Sequence, residues 1–160
     1  MKKKALNIIV LIIAFSILAI SCDSRKIYDQ NFKISGTAWN KKKVLDFYVN
    51  IYDTIISNNV YINVRHSNLY SYSNLFLFLT IIAPDGNFIR DTVELTLADK
   101  SGKWLGKGLG DISDYQQIYS ENVRFRIRGI YKFNIEQGMR EDDLQNILDI
   151  GLRVEKSSSD

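Results

Sequence analysis

NLFLFLTIIAPDGNFIRDTVELTL, residues 74–97, is the stretch that decides the fold. Its first part, residues 74–83, is apolar on both faces, which predicts a central strand covered on each side. Residues 84–87, Pro-Asp-Gly-Asn, supply turn chemistry because proline presets φ and the following residues tolerate left-handed positions. Residues 88–97 then alternate between apolar and polar side chains, which is the period of a half-buried strand. The stretch therefore predicts an antiparallel hairpin around Pro84.

Strand-like periodicity continues on both sides of this hairpin. Further runs either alternate with period two or are rich in β-branched and aromatic residues; they are residues 44–52, 60–66, 122–125, 130–137 and 147–154. Only residues 141–148 have a mild helical or turn-like character. Seven or eight short strands with almost no helix predict one all-β domain. We expect an antiparallel β-sandwich of jelly-roll or immunoglobulin-like type.

The beginning of the chain has the pattern of a lipoprotein signal peptide. Three lysines precede an apolar run, residues 5–20, which is short for a spanning helix and typical of a signal sequence. Ser21 and the only cysteine, Cys22, follow directly. This arrangement resembles a bacterial lipobox, which implies cleavage before Cys22, a thioether-linked diacylglycerol on its sulfur and an acylated amino group. The alternatives are an uncleaved anchor and an ordinary secreted protein.

These observations divide the chain into a signal peptide (1–21), a lipidated tether (22–26), a β-sandwich domain (27–156) and a polar tail (157–160). The whole chain carries 21 Lys and Arg against 18 Asp and Glu. Three lysines leave with the signal peptide, so the mature chain has equal numbers of basic and acidic side chains. Nucleic-acid binding needs a basic face, and we therefore expect no nucleic-acid partner. A lone cysteine also excludes an intramolecular disulfide.

Few patterns in the mature chain suggest catalysis or metal binding. His66, the only histidine, ends a predicted strand, where we expect a surface or hydrogen-bonded residue rather than a ligand. No serine lies in a Gly-x-Ser-x-Gly elbow. The acidic pairs Asp111 with Asp114 and Asp142 with Asp143 are typical of solvated turns, although facing carboxylates would suit a glycosidase. We expect no metal, no cofactor and no enzymatic activity.

Residues 102–111, GKWLGKGLGD, form the most distinctive segment of the mature chain. They depart from a phosphate-binding loop because no Gly-Lys-Ser/Thr ending and no helix follow. One interpretation is a structured loop whose glycines adopt positive φ or allow close backbone approach, with Trp104 and Leu105 packed as anchors. The other is a partner-binding surface centred on Trp104, for which Trp104, Leu105 and Asp111 are the candidate residues.

Several segments, in order along the mature chain, resemble one known family. They are IYDQ (27–30), SYSNLFL (71–77), PDG (84–86), DT (91–92), GKWLGKGLGD (102–111), ENVRF (121–125), QGMR (137–140) and DIGLRVE (149–155). Together they are similar to the gliding-motility lipoprotein GldH family of Bacteroidetes. The resemblance implies a non-catalytic accessory lipoprotein of the cell envelope, associated with gliding and with the machinery that moves or secretes surface adhesins.

The resemblance also implies partners among other envelope or gliding-machinery proteins, beside membrane lipid held through Cys22. We expect anchorage in the outer membrane rather than the inner membrane. The alternative is a surface β-sandwich lipoprotein that binds or processes glycans. That alternative is motivated by the carboxylate pairs and by seven tyrosines that could form a carbohydrate platform, namely Tyr48, Tyr52, Tyr61, Tyr70, Tyr72, Tyr115 and Tyr119.

Overall fold

The computed structural model describes residues 24–36, 38–108 and 110–158. The predicted signal peptide and Cys22 lie outside the described residues. The strands are β1 (Lys26–Lys33), β2 (Ala38–Asn40), β3 (Leu45–Ile51), β4 (Asn58–Ser67), β5 (Asn74–Ile82), β6 (Phe88–Thr96), β7 (Ile112–Val123), β8 (Gly129–Gln137), β9 (Asp143–Gln145) and β10 (Ile147–Lys156). Within these ranges there is no helix of the length and apolarity needed to cross a membrane.

Eight of the strands form two four-stranded antiparallel sheets. Sheet one has the order β1-β10-β4-β7 and sheet two the order β3-β8-β5-β6, while β2 and β9 form a short pair of their own. Among these eight strands the chain changes sheet at every connection except the one from β5 to β6. This alternation is that of an eight-stranded jelly roll. The predicted antiparallel sandwich is confirmed, and of its two alternatives the jelly roll is observed.

The inner faces of the two sheets share one hydrophobic core. Phe47 of β3, Leu77 of β5 and Phe133 of β8 meet Ile62 of β4 and Leu152 of β10, and all five side chains are fully buried. Burial alternates strictly along β3, β4 and β8, as their sequence period predicts. Each large apolar side chain buried in this way stabilises the fold by about 1.5–3 kcal/mol.

The predicted hairpin is present between β5 and β6. Ile82 pairs with Phe88, and the Ala83 amide donates to the Asn87 carbonyl at 2.8 Å. Gly86 closes the turn with φ of 86°, a left-handed value that favours glycine. Residues 84–87, which predicted a turn from the sequence, therefore form that turn.

Strand β5 is central in its sheet, but only one of its faces is covered by a second layer. Leu75, Leu77 and Leu79 are fully buried against the other sheet. The opposite face is half-buried, and there Phe78 lies 5.1 Å from the guanidinium of Arg90 on the neighbouring strand. The expectation of cover on both faces is therefore wrong, because long side chains rather than a further layer shield the outer face.

Two other expectations about secondary structure need correction. The strand expected at residues 122–125 is the end of β7, which begins at Ile112 and finishes at Val123. The segment expected to be helical or turn-like, 141–148, contains the short strand β9, whose Leu144 pairs with Trp39 of β2. Tertiary pairing with β2 decides the conformation of β9, since three residues carry little propensity of their own.

The boundaries of the folded domain lie slightly outside those read from the sequence. Strand β1 begins at Lys26, within the predicted tether. The Lys156 amide donates to the Arg25 carbonyl at 2.9 Å, and the amide of the buried Ser157, from the predicted tail, donates to the Ser57 carbonyl at 2.8 Å. Backbone pairing therefore orders residues next to both predicted boundaries.

The connections between the strands lie at two ends of the sandwich, the tether end and the distal end. The tether end is where β1 begins, and it holds the β3–β4, β5–β6 and β7–β8 connections, because Asn58 pairs with both Lys156 and Val123. The distal end is where β1 finishes, and it holds the β4–β5, β6–β7 and β8–β10 connections, because His66 pairs with both Ile147 and Ser113. Strands of about ten residues separate the two ends by roughly 30 Å.

Candidate functional site

The Trp104 loop, residues 97–111, joins β6 to β7 at the distal end. Its tip is a tight turn in which the Asp99 carboxylate accepts hydrogen bonds from the Ser101 amide (2.8 Å), the Ser101 hydroxyl (2.6 Å) and the Lys103 amide (3.0 Å). These bonds, led by the one from the Ser101 hydroxyl, lower the pKa of Asp99. Gly102 adopts a φ of 83°. Every part of this tip is held by local bonds.

The second half of the Trp104 loop folds back onto the start of β7. Lys107 and Asp114 exchange backbone hydrogen bonds of 2.8 and 2.7 Å. A Cβ atom added to Gly108 would lie 1.9 Å from the Ile112 carbonyl oxygen, and one added to Gly106 would lie 2.7 Å from that of Asp114. These two glycines therefore permit close backbone approach, as one of the sequence interpretations holds.

Trp104 is half-buried and belongs to a ring cluster that comprises Trp104, His66, Tyr70 and Tyr72. The Trp104 and His66 rings meet edge to face with centroids 4.4 Å apart. Tyr70 lies 5.8 Å from His66 and 5.7 Å from Tyr72. Pairs of this geometry contribute about 0.5–1.5 kcal/mol beyond the burial of their area. The ring cluster thus fixes the Trp104 loop to β4 and to the β4–β5 connection.

His66 lies at the centre of the ring cluster and is fully buried. Its Nδ1 lies 3.0 Å from the Ser67 carbonyl oxygen, which places the proton on Nδ1 as donor, and its Nε2 has no hydrogen-bond partner in the described part of the chain. Burial lowers the pKa of His66. The prediction of a hydrogen-bonded histidine is right, and the alternative of a surface position is wrong because Trp104 covers the ring.

The two tyrosines of the ring cluster attach it to the start of β5 and to the connection between β8 and β9. The Tyr70 hydroxyl donates to the Asn74 carbonyl at 3.0 Å, and burial strongly raises the pKa of Tyr70. The Tyr72 hydroxyl donates to the carboxylate of Glu141, and this bond raises the pKa of Tyr72. Both phenols therefore remain protonated at neutral pH and act as donors.

The three candidate partner-binding residues lie at the distal end but differ in exposure. Trp104 is half-buried, Leu105 is 47% exposed and Asp111 is exposed. The packed-anchor interpretation therefore holds for Trp104 alone. The Asn68 amide donates to the Asp111 carbonyl at 2.8 Å, which sets Leu69, 75% exposed, beside this part of the loop. Sequence reasoning missed Leu69, although a leucine between polar turn residues was a signal that could have found it.

A second, polar recess lies on the outer face of sheet one. Asn63 donates to Asn31 at 3.4 Å and Gln116 donates to Asn63 at 2.7 Å, so that an amide row (Asn31, Asn63 and Gln116) crosses the sheet. The row passes over Gly151, where a Cβ atom would lie 1.7 Å from the Asn31 Oδ1. The recess has a volume of about 330 Å³ and is bordered by the side chain of Arg65.

Three of the four carboxylates of the predicted acidic pairs are engaged with basic or amide partners, and the fourth, Asp111, is exposed. Asp114 lies within β7 rather than in a turn, and its carboxylate accepts from the Arg65 guanidinium at 2.5 and 3.1 Å. Asp142 forms an ion pair of 2.5 Å with Lys41, and Asp143 accepts from Asn40. No group of three or more potential metal ligands occurs within the described ranges.

The fold and this site define a small jelly-roll domain that carries a rigid aromatic loop at one end. The chain belongs to the GldH lipoprotein family, whose model matches residues 26–154. The resemblance read from the sequence is thereby confirmed, together with the class of gliding-motility lipoproteins that it implies.

Two curated relatives cover nearly the whole chain. A gliding motility lipoprotein GldH homolog from Christiangramia forsetii is 38% identical over 150 residues, which are 89% of this chain and 91% of the relative. The gliding motility lipoprotein GldH of Flavobacterium johnsoniae is 35% identical over 148 residues, which are 88% and 91% of the two chains. Among solved structures, the VP2 subviral particle of infectious bursal disease virus is similar with a TM-score of 0.38 and 18% identity, over 86% of this chain and 34% of that one. A TM-score of this size adds nothing to the assignment.

Proposed function

We propose that this chain is a non-catalytic accessory lipoprotein of the gliding apparatus and its associated adhesin secretion machinery. It is held in the outer membrane through lipid on Cys22, and it binds another envelope protein through the Trp104 loop. Membership of the GldH family and the names of both relatives support the gliding context. We further propose that it binds a partner protein, that it is attached to the outer membrane and that it has no catalytic activity.

The observation that carries this proposal is the placement of the tether and the Trp104 loop at opposite ends of the sandwich. Strand β1 begins at Lys26 at the tether end, whereas the loop lies next to His66 at the distal end. Eight strands of a closed core lie between them, so a lipid-held domain would present the loop about 30 Å away from its anchor. Such a loop is placed to meet another envelope protein.

The structure of the loop also suits protein binding. Rigid backbone combined with partly exposed aromatic and aliphatic side chains limits the entropy lost on association. Trp104 is half-buried, and Leu105 is 47% exposed. Aromatic anchors surrounded by polar residues are the usual form of an interface centre.

The structural roles of the histidine and of a nearby carboxylate support a non-catalytic function. His66 is buried under Trp104 and bonded to Ser67, which suits packing rather than proton exchange with a substrate. The Asp114 carboxylate is occupied by Arg65. His66 faces no open site, and Asp114 borders the polar recess only as the ion-pair partner of Arg65.

A pair of exposed substitutions tests partner binding without disturbing the core. Leu105→Arg places a charge at the centre of the proposed interface, and Val44→Arg, at a similarly exposed site of the same end, is the matched control. We expect the first variant to lose capture of envelope proteins after crosslinking and to fail to restore gliding to a host that lacks its own GldH. Equal behaviour of both folded variants would contradict the proposal.

Membrane attachment has a separate test. Cys22→Ser should abolish incorporation of labelled fatty acid and release the chain from the membrane fraction, since anchorage of this kind depends on several acyl chains. Separation of the inner and outer membranes then decides between the two locations. Recovery of the unchanged chain in the inner membrane would contradict the outer-membrane part of the proposal alone.

A second candidate function rests on the polar recess. Amide and charged side chains bind sugar hydroxyls. The amide row provides three amide side chains next to the guanidinium of Arg65. Binding of a glycan on an array, lost in Asn63→Ala, would support a glycan-binding role. The Trp104 loop does not contribute to the proposed glycan-binding site, so Leu105→Arg should leave glycan binding unchanged.

A further inference from the structure

The tether end of the sandwich concentrates the most exposed apolar side chains of the described chain. Of the six large apolar residues with the highest exposure, Leu69 alone lies at the distal end. The other five lie at the tether end and are Tyr52 (77%), Ile55 (75%), Phe88 (69%), Ile89 (60%) and Ile130 (57%). They come from the β3–β4 connection, the start of β6 and the start of β8, so no single loop explains their clustering. A surface of this composition marks an interaction site.

A row of three arginines lies at the same end. Arg124, Arg126 and Arg128 follow β7 and alternate with Phe125, which is 7% exposed, and with the half-buried Ile127. The inward packing of the two apolar side chains keeps the three arginines exposed. None of the three guanidinium groups lies within ion-pair distance of a carboxylate among the described residues. The Arg124 Nε donates to the Ser57 hydroxyl at 3.3 Å, which leaves the two terminal nitrogens of that guanidinium for anions outside the chain. Arg126 and Arg128 are exposed and are available in the same way.

An apolar recess of about 490 Å³ opens between the sheets beside these arginines. Phe88 and Ile89 border it on one side, Tyr131 and Phe133 form part of its floor, and Arg124 lies on its rim. Apolar and cationic groups thus share one surface, which also includes the carboxylate of Asp85. Interfacial membrane-binding surfaces combine the same two features, since they meet acyl chains and phosphates together.

The length of the tether favours a membrane as the occupant of this surface. Backbone pairing begins at Arg25, whose carbonyl accepts from the Lys156 amide. Two residues separate it from Cys22, and the three Cα-to-Cα steps from Cys22 to Arg25 span at most about 10 Å in an extended chain. With lipid on Cys22, as in the proposed function on which this step rests, the gap is too thin for a folded protein.

We infer that the tether end docks directly on a phosphate-bearing lipid surface. Arg124, Arg126 and Arg128 contact the headgroup phosphates, while Ile55 and Phe88 enter the interfacial layer. Docking orients the jelly roll upright on the membrane, with the Trp104 loop directed away from it. The Cys22 anchor supplies the attachment and this surface supplies the orientation.

Tryptophan quenching in vesicles tests the docked orientation with the full lipidated chain. Both native tryptophans, Trp39 and Trp104, lie at the distal end, so an indole introduced at the tether end reports independently. Phe88→Trp is the reporter, and Leu69→Trp, equally exposed at the distal end, is its control. The vesicles contain brominated phosphatidylethanolamine with or without phosphatidylglycerol.

We expect strong quenching of the indole introduced at position 88, none at position 69, and more quenching when phosphatidylglycerol is present. Replacing all three arginines by glutamine should remove the dependence on phosphatidylglycerol and most of the quenching. A chain that floats with the vesicles but shows equal quenching at both positions, or none, overturns the docking and leaves the anchorage intact. A chain that fails to float overturns the anchorage and the docking with it.

Discussion

The imidazole of His66 and the indole of Trp104 meet edge to face, with their centroids 4.4 Å apart and their planes at 61°. This contact joins the end of β4 to the middle of the Trp104 loop. It explains how a long connection, with no strand among its described residues 97–108 and 110–111, is held against the core. It also means that the loop and the jelly-roll core depend on each other for stability.

Removal of the indole should therefore loosen the distal end. For Trp104→Ala we expect a loss of about 2 kcal/mol in the free energy of unfolding, less than for a fully buried tryptophan because the ring is half-buried. Denaturant unfolding of the mature chain measures this loss. Trp104→Phe keeps an aromatic edge against His66 and should lose clearly less; an equal loss in both variants would contradict a specific ring contact.

His66 should make stability depend on pH. Burial lowers its pKa in the folded chain below the ordinary value of 6.5. The unfolded chain therefore binds more protons, and the free energy of unfolding should decrease as pH falls from 6.5 toward the lowered pKa. Above pH 6.5 this contribution should be constant.

Comparison of the parent chain with His66→Phe isolates this dependence. Urea unfolding at a series of pH values should show a smaller decrease below pH 6.5 in the variant, since the ring can no longer be protonated. Carboxylates titrate mostly at lower pH and are common to both proteins. Parallel curves for the two proteins would show that His66 titrates as it does in the unfolded chain.

Gly108 should not tolerate a side chain. A Cβ atom there would lie 1.9 Å from the Ile112 carbonyl oxygen, which is backbone and cannot rotate away. We expect Gly108→Ala to cost about 1–3 kcal/mol and to broaden the amide signals of the Trp104 loop. Gly102→Asn is the control, because Gly102 has open space around it and asparagine tolerates its φ of 83°.

Gly151 should behave differently, although a Cβ atom there would meet its nearest neighbour at a shorter distance than at Gly108. The nearest atom that a Cβ would meet is the Asn31 Oδ1, the far end of a flexible side chain, while the nearest backbone atom, the Gln30 carbonyl oxygen, would lie 3.0 Å away. We expect Gly151→Ala to displace Asn31 and break the amide row while changing the free energy of unfolding by less than about 1 kcal/mol. In an Asn31→Ala background the same change should cost only the small adjustment away from the Gln30 carbonyl oxygen, and a double-mutant cycle measures the difference.

The fold was largely predictable because the strands of the inner core follow simple patterns. Strands β3, β4 and β8 alternate with period two, and the turn between β5 and β6 carries Pro84 and Gly86 at the positions that require them. Strand β7 was not predictable in full. It forms an edge of sheet one, and its outward side chains include the polar Asp114 and Gln116, so its sequence lacks the apolar alternation of a covered strand.

The site was predictable only in part, since its residues are joined by tertiary contacts. The glycines around Trp104 predicted a constrained loop. Gly106 and Gly108 lie close to the backbone at the start of β7, as such a loop requires. Nothing in the local sequence places Trp104 on His66, which is 38 positions earlier in the chain. The exposure of Leu69 and its proximity to Asp111 likewise follow from the pairing of two distant connections.

Site-specific photo-crosslinking in cells tests the central claim, that the Trp104 loop faces a protein partner on the side away from the membrane. A crosslinking residue is placed at position 105 of the distal end, at position 55 of the tether end, or at the exposed Tyr48 in the middle of β3. We expect a discrete protein adduct from position 105, a lipid adduct from position 55 and neither from position 48. The same protein adduct from all three positions, or only lipid from position 105, would contradict this arrangement.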